Sequence, residues 1–255
     1  MKKMGFTMKV IGVIPARYAS SRFPGKPLVD ICGKPMIWWV YQQVKKVKEI
    51  SEVYVATDDD QISQVCIEHD MKHIMTSENH ATSTERLYEV AQKLEADLYV
   101  CINGDEPLIE PDIIRAIIPE ECPDDFYVGN LMTVIRNPVE AVDYTNIKVV
   151  TGENGDALFM SRSPIPYPKS SMEYNYYKHV GVLIYTLSAL KFFATTPKGK
   201  NELVEDINEL RFIEHGIHLH MIEVNAKTLS VDTPKDLEKV RSIVQAQIRE
   251  GKIQL

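Results

Sequence analysis

The chain has 255 residues, 44% of them hydrophobic, and a formal net charge of -7. That length suits one large domain, or one domain with a small insertion, and the apolar content is ample for a core. The acidic balance argues against bulk nucleic-acid binding, and no apolar run approaches the about 18 residues of a membrane span. Met1 to Met8 is basic but lacks the apolar stretch of a secretory signal. Cys32, Cys66, Cys101 and Cys122 stand far apart and form no C-x-x-C pair. This points away from a zinc site or disulfide framework and toward a reducing, cytoplasmic setting.

The first half alternates two periodicities. Val10 to Ile14 is a continuous apolar run, as in a strand buried on both faces. Met36, Ile37, Val40, Val44 and Val47 then fall at helical spacing. Glu52 to Thr57 predicts a second strand, ending at Asp58-Asp59-Asp60, and Ile62, Val65, Cys66 and His69 a second helix. A short strand near His73 to Met75 follows, then a helix through Leu87, Val90, Ala91 and Leu94, then a strand from Leu98 to Ile102. Strands alternating with helices imply βαβ units, hence an α/β fold with a mostly parallel sheet.

The second half changes character. Tyr127 to Val134 and Ile147 to Val150 read as strands, and Gly152-Glu153-Asn154-Gly155 has hairpin-turn chemistry before Ala157 to Ser161. Ser163 to Tyr177 is rich in Pro and Tyr, which predicts a long irregular connection. His179 to Tyr185 returns as a strand, Leu203 to Glu214 as one helix, and Leu219 to Val224 as a strand. Thr233 as cap, Pro234 at the first helical position and Asp236 mark the last helix.

The run Pro15-Ala16-Arg17-Tyr18-Ala19-Ser20-Ser21-Arg22-Phe23-Pro24-Gly25-Lys26-Pro27-Leu28 carries the most chemistry. A strand delivers Arg17, Arg22 and Lys26 to its carboxyl end, where ligands bind in open α/β sheets. Guanidinium forks pair with phosphate oxygens and lysine adds a point charge. The same composition also suits a solvated loop. It is neither a G-x-x-x-x-G-K-[ST] phosphate loop nor a G-x-G-x-x-G dinucleotide loop.

The run resembles the amino-terminal signature P-A-R-x-x-S-x-R-x-P-G-K-P-L of the CMP-sugar-acid synthetases, and most closely the 3-deoxy-manno-octulosonate (Kdo) cytidylyltransferase family. Ala56-Thr57-Asp58, His80 to Arg86, Gly104-Asp105-Glu106-Pro107, Lys178-His179-Val180-Gly181 and Val231-Asp232-Thr233-Pro234 follow in the family's order, over roughly residues 8 to 245. The resemblance implies a Rossmann-like sheet flanked by helices, of the nucleotide-diphospho-sugar transferase type. It also implies a single nucleotidyltransferase domain, with an excursion at about 134 to 178 that pairs subunits into a homodimer. The implied activity is transfer of CMP from CTP to a 3-deoxy-2-ulosonic acid for cell-surface polysaccharide or lipopolysaccharide synthesis. A related nucleotidyltransferase with another acceptor, or a silent nucleotide-binding protein, are the alternatives.

Carried over residue by residue, the resemblance places the triphosphate on Arg17, Arg22 and Lys26, with Pro15, Ala16 and Ser20 in the same nucleotide-binding loop. Cytosine falls to Thr82, Ser83 and Arg86, although Thr82 also suits a helix cap with Glu85 in the first turn. Asp105 and Asp232 each end a strand. Either alone suits a turn or cap, but the family's pattern makes the pair ligands of one Mg2+, a cation of hard oxygen donors. Arg17, Lys26 and Asp105 are the catalytic set so implied.

The acceptor side departs from the pattern. Asn103 replaces a usual Gln, Leu183 a usual Tyr, and Asn208-Glu209 a Glu-Gln pair, while His179 matches. These changes leave room for a modified, amino-bearing octulosonate. His218 and His220 alternate around Leu219 with no acidic or Cys ligand at a recognisable spacing, and are read as a solvent-facing strand edge. Tyr167, Tyr174, Tyr176 and Tyr177 are read as a dimer or loop contact.

Overall fold

The computed structural model describes residues 8–19, 23–170, 174–227 and 229–253. Ser20, Ser21 and Arg22 lie outside the described residues.

In chain order the elements are β1 (Val10–Ala16), a 3-10 turn (Lys26–Leu28), β2 (Asp30–Ile31), β3 (Lys34–Pro35), α1 (Met36–Lys45), β4 (Glu52–Thr57), α2 (Asp60–Glu68) and β5 (His73–Met75). Then follow α3 (Ser83–Lys93), β6 (Leu98–Ile102), α4 (Pro111–Arg115), β7 (Val128–Val134), α5 (Pro138–Val142), β8 (Lys148–Thr151), β9 (Ala157–Ser161) and β10 (Tyr177–Tyr185). The chain closes with α6 (Leu187–Thr195), α7 (Lys200–Glu205), α8 (Leu210–Glu214), β11 (His220–Glu223) and α9 (Pro234–Arg249).

The main sheet runs β11-β7-β10-β6-β1-β4-β5, with β8 and β9 joined through β10. β6, β1, β4 and β5 are parallel, and β10 lies antiparallel between β6 and β7. The mostly parallel α/β sheet expected from sequence is therefore present. Apolar side chains alternate across it. Val10, Ile14 and Ala16 meet α1 and α2 on one face, and Ile11 and Val13 meet α3, α6 and α8 on the other. A third cluster joins α9 to Ile31 and Trp39.

β1 continues two residues past its expected break. Pro15 pairs with Ala56 and Ala16 with Thr57, but the ladder to β6 ends at Val13. Beyond Val13 the strand is paired on one side only, so the ring interrupts no central ladder. The single helix expected over 203–214 is two. Asp206 takes a left-handed conformation, φ 52°, that ends α7, and α8 starts afresh at Leu210. The described residues of the irregular connection before β10 form no named element, as expected.

Two features place the site. β1 and β6 end side by side at the same sheet edge, so Arg17 and Asn103 to Asp105 emerge as neighbours. Because β10 runs the other way, with Val182 opposite Ile102, its first residues project past the end of β6. His179 is thereby carried to the edge where β1 and β6 stop. No helix among the described residues is long and apolar enough to cross a membrane.

Candidate active site

The loop after β1 turns back on itself. The Gly25 N–H donates to the Tyr18 carbonyl at 2.9 Å, and Gly25 adopts φ 69°, a left-handed conformation that favours glycine. A Cβ there would also press on the Tyr18 ring at 3.3 Å. This closure returns Lys26 to the sheet edge.

There Lys26 Nζ lies 3.0 Å from Asp105 Oδ2 and 3.4 Å from Asp232 Oδ1. All three side chains are partly buried. Asp105 follows β6. Its Gly104 neighbour packs so close to β1 that a Cβ would sit 3.3 Å from the Pro15 carbonyl. Asp232 arrives from 127 residues further along the chain because the Val231 N–H donates to the Asp105 carbonyl at 2.9 Å. Just beyond it, Thr233 caps α9 in a capping box with Asp236. Thr233, not Asp232, is therefore the cap, and the Asp232 carboxylate meets Lys26.

Two carboxylates converging on one cation form a hard oxygen donor set. Among the described residues no group of three or more His, Cys, Asp or Glu side chains is placed to hold a metal ion. A pair suits Mg2+, which binds through one or two carboxylates and fills its remaining positions with water and substrate phosphate. The residues present fit that ion. Next to the pair, Glu106 is 6% exposed, and burial followed by the Asp105 charge pushes its carboxyl up to about 7. The Gly181 N–H and the charge of Lys178 act in the opposite direction.

Arg17 reaches across the edge to the carbonyls of His80 and Ala81, both at 3.3 Å. The loop after β1 and the loop before α3 are thus joined. Thr82 caps α3, with Glu85 closing the capping box, and Ser83 is half-buried in the first turn. Arg86 is the exception among the expected nucleotide residues. It is 1% exposed, with Nη2 2.6 Å from Asp58 Oδ2 and Nη1 bonded to the Thr76 hydroxyl. Both ends of its guanidinium fork are occupied, so in this geometry it ties β4, β5 and α3 together beneath the site.

Around the residues expected to meet the acceptor, the Asn103 N–H donates to the Gly181 carbonyl at 2.9 Å. The Asn103 amide lies so near Gly181 that a Cβ would approach it to 2.5 Å. His179 is half-buried. Burial lowers its pKa and outweighs the charges of Glu209 and Asp105, which act to raise it. Glu209 is 8% exposed, and its charge is felt by His179, Tyr185 and Cys101. Asn208 is half-buried beside it. Leu183 is packed in the core opposite Cys101 and offers no polar contact. The segment bearing Asn208 and Glu209 is anchored by Arg211, whose Nε and Nη2 grip the Glu202 carboxylate at 2.8 and 2.5 Å in the interior.

Sequence reading missed Asn130, and it gave no individual role to Asp58 and Glu106, although both fall within the motifs that carry the resemblance. Asn130 works through partners about fifty residues away in β10, and no local spacing marks it. It also missed Asp156, which sits 2.6 Å from Nδ1 of both His218 and His220. The two histidines are solvent-facing, as expected, but they share an acidic partner that lies 62 residues before His218. Tyr167 is 85% exposed, while Tyr174 and Tyr176 meet edge to face.

Residues 11–227 match the family model of the cytidylyltransferases. The chain is 40% identical to 3-deoxy-manno-octulosonate cytidylyltransferase of Escherichia coli, over 95% of this chain and 99% of that one. It is also 40% identical to 8-amino-3,8-dideoxy-manno-octulosonate cytidylyltransferase of Shewanella baltica, over 91% and 97%. A solved structure of CMP:2-keto-3-deoxy-manno-octonic acid synthetase complexed with CTP superposes with a TM-score of 0.88 at 42% identity, covering 94% of this chain and 99% of that one. With Lys26, Asp105 and Asp232 gathered where β1 and β6 end, and with similarity of this depth along its length, the chain belongs to the cytidylyltransferase family and is a CTP-dependent nucleotidyltransferase.

Proposed function

We propose that the protein transfers CMP from CTP to the anomeric hydroxyl of a 3-deoxy-2-ulosonic acid, Kdo or a modified octulosonate, and releases pyrophosphate. The observation that carries this reading is the convergence of Lys26, Asp105 and Asp232 beside the closed loop after β1. The relatives named for this reaction support the choice of acceptor.

In such a transfer the hydroxyl attacks the α-phosphorus in line, and negative charge gathers on the transferring group and the departing pyrophosphate. Fixed cations aimed at that charge lower the barrier without reorganising. Lys26 and Arg17 supply them from one loop, with Arg22 as the third cation by sequence. On nucleotide arrival the Lys26 ammonium exchanges its carboxylate partners for phosphate oxygens. That exchange leaves Asp105 and Asp232 to hold Mg2+, which when bound polarises the phosphoryl oxygen and orients the nucleophile. Thr82 and Ser83 border the nucleotide through the loop that Arg17 clamps. His179, Asn103, Asn208 and Glu209 line the acceptor side. No covalent enzyme intermediate is needed.

The working form in this reading is a cytoplasmic homodimer paired through residues 134–178, feeding cell-surface polysaccharide or lipopolysaccharide synthesis. Val139, Val142, Tyr144, Leu158 and Tyr167 are all exposed within that excursion, as expected of a face awaiting a second copy.

The test is pyrophosphate release with CTP, ATP, GTP and UTP, each against a panel of Kdo, amino-substituted octulosonates, nonulosonic acids and polyol phosphates. Release confined to CTP with an octulosonate is expected. Turnover of another acceptor class, with none on octulosonates, would overturn the reading.

A further inference from the structure

β10 carries one irregularity on its β7 side, where the register shifts between Val180 and Leu183. Bulges leave backbone groups without ladder partners. Asn130 of β7, fully buried, answers this one. Its Nδ2 donates to the Val180 carbonyl at 2.9 Å and to the Val182 carbonyl at 3.0 Å. An amide nitrogen has two hydrogens, so both are now used and the orientation of the amide is fixed. Its oxygen is left facing His179 Nδ1 at 2.7 Å. That oxygen can only accept, so Nδ1 carries the hydrogen. A neutral imidazole with N–H at Nδ1 has a bare lone pair at Nε2.

We propose that Asn130 is a positioning residue for cytidylyl transfer, locking His179 in the Nδ1–H tautomer so that Nε2 accepts a hydrogen bond from a hydroxyl of the acceptor. The identity of that acceptor rests on the function proposed above; the tautomer does not. A lone pair at Nε2 selects by polarity. It welcomes a group that donates, such as a sugar hydroxyl, and turns away one that only accepts, such as a carboxylate. The α-keto acid is thereby given one orientation, with its hydroxyls toward His179 and its carboxylate elsewhere. Burial of the ring keeps it neutral, which preserves the lone pair. The bulge and the tautomer are one device, because the carbonyls freed by the bulge consume the donors that would otherwise compete for the ring.

The first test uses the full-length protein without substrate. Nitrogen NMR of 15N-histidine-labelled enzyme should show His179 Nδ1 protonated and Nε2 unprotonated near neutral pH. A protonated Nε2 would overturn the proposal. Addition of the acceptor should then move the Nε2 resonance toward a hydrogen-bonded position, whereas CTP alone should not. An Nε2 signal indifferent to the acceptor would overturn it too.

Kinetics give an independent reading. Asn130→Ala should lower kcat/KM for the acceptor roughly tenfold or more while leaving KM for CTP unchanged, as expected for one lost polar contact. His179→Ala in the same chain should add little further loss, because the two residues act as one unit. Equal damage to both substrates, with losses that add, would mark Asn130 as a purely structural residue. Where Asn130→Ala does not fold, the wild-type spectra decide alone. Failure of any transfer from CTP would defeat the functional reading instead, and the substrate-free spectrum tells the two failures apart.

Discussion

Lys26 Nζ lies 3.0 Å from Asp105 Oδ2, so the cation of the first loop is paired with a carboxylate at the end of the neighbouring strand. In the reading proposed above, nucleotide binding begins with an exchange of partners. Lys26→Ala removes the cation that lies between Asp105 and Asp232. CTP affinity should fall about 10- to 100-fold, as for loss of a charge-assisted contact, and the deficit should shrink as salt is raised. Titration calorimetry at two ionic strengths checks this. Unchanged affinity would reassign the loop as structural.

Asp105→Asn keeps the shape of the side chain and removes its charge. Turnover should drop by about 10²- to 10³-fold with little change in melting temperature, because the residue lies at the rim of the core. Chelation of divalent cations should abolish activity in the parent enzyme, and Mg2+ should restore it. Full activity of Asp105→Asn in excess Mg2+ would remove this residue from the chemistry.

Arg86 separates a structural role from a binding role. The buried guanidinium is held by Asp58 and Thr76, so Arg86→Leu should destabilise the fold by about 1–3 kcal/mol by leaving the partly buried Asp58 carboxylate and the Thr76 hydroxyl without their partner. Denaturant unfolding is the measurement. A stable Arg86→Leu variant that binds CTP poorly would restore the residue to the base-binding set.

Glu89 gives a pH prediction. Burial alone would raise its carboxyl, but Lys93, the Ser77 N–H and His80 together outweigh it and hold the group at about 2, against an ordinary 4.5. The folded state thus takes up this proton less readily than the unfolded state. Its contribution to stability is complete above pH 4.5 and is lost as pH falls toward 2. Glu89→Gln should flatten the stability profile across that window by up to about 3 kcal/mol. Denaturant melts of both proteins from pH 2 to 6 read the difference. Parallel profiles would mean the Glu89 contacts are energetically idle.

Much of this was legible in the sequence, for reasons that particular residues make plain. Glu52 to Thr57 and Leu98 to Ile102 are uninterrupted strand formers bounded by turn chemistry, and their ends were placed as observed. Thr82 and Thr233 sit three residues before Glu85 and Asp236, and both proved to be caps. The apolar spacing of 203–214 gave no warning of Asp206, because a single left-handed residue leaves no periodic signature. Asn130 was invisible for a different reason. Its importance comes from a bulge fifty residues away, and a lone Asn inside an apolar strand carries no motif.

Glu209 bears on which octulosonate is used. Sequence left its carboxylate free to face either water or the acceptor, and its 8% exposure excludes open solvent. If the acceptor binds beside His179, a buried carboxyl there favours a substrate bearing an ammonium group. An amino-substituted octulosonate should accordingly show a higher kcat/KM than Kdo, and Glu209→Gln should narrow the gap. Side-by-side kinetics in which Kdo is the best acceptor would defeat this expectation.

The hydrogen bond from the Val231 N–H to the Asp105 carbonyl spans more than a hundred residues of sequence and joins the two aspartate loops directly. Its consequence is that the separation of the two carboxylates is governed by one main-chain amide. That amide is a native reporter. Any ligand that draws Asp105 and Asp232 together must slow its exchange with deuterium, with no label or substitution introduced into the site.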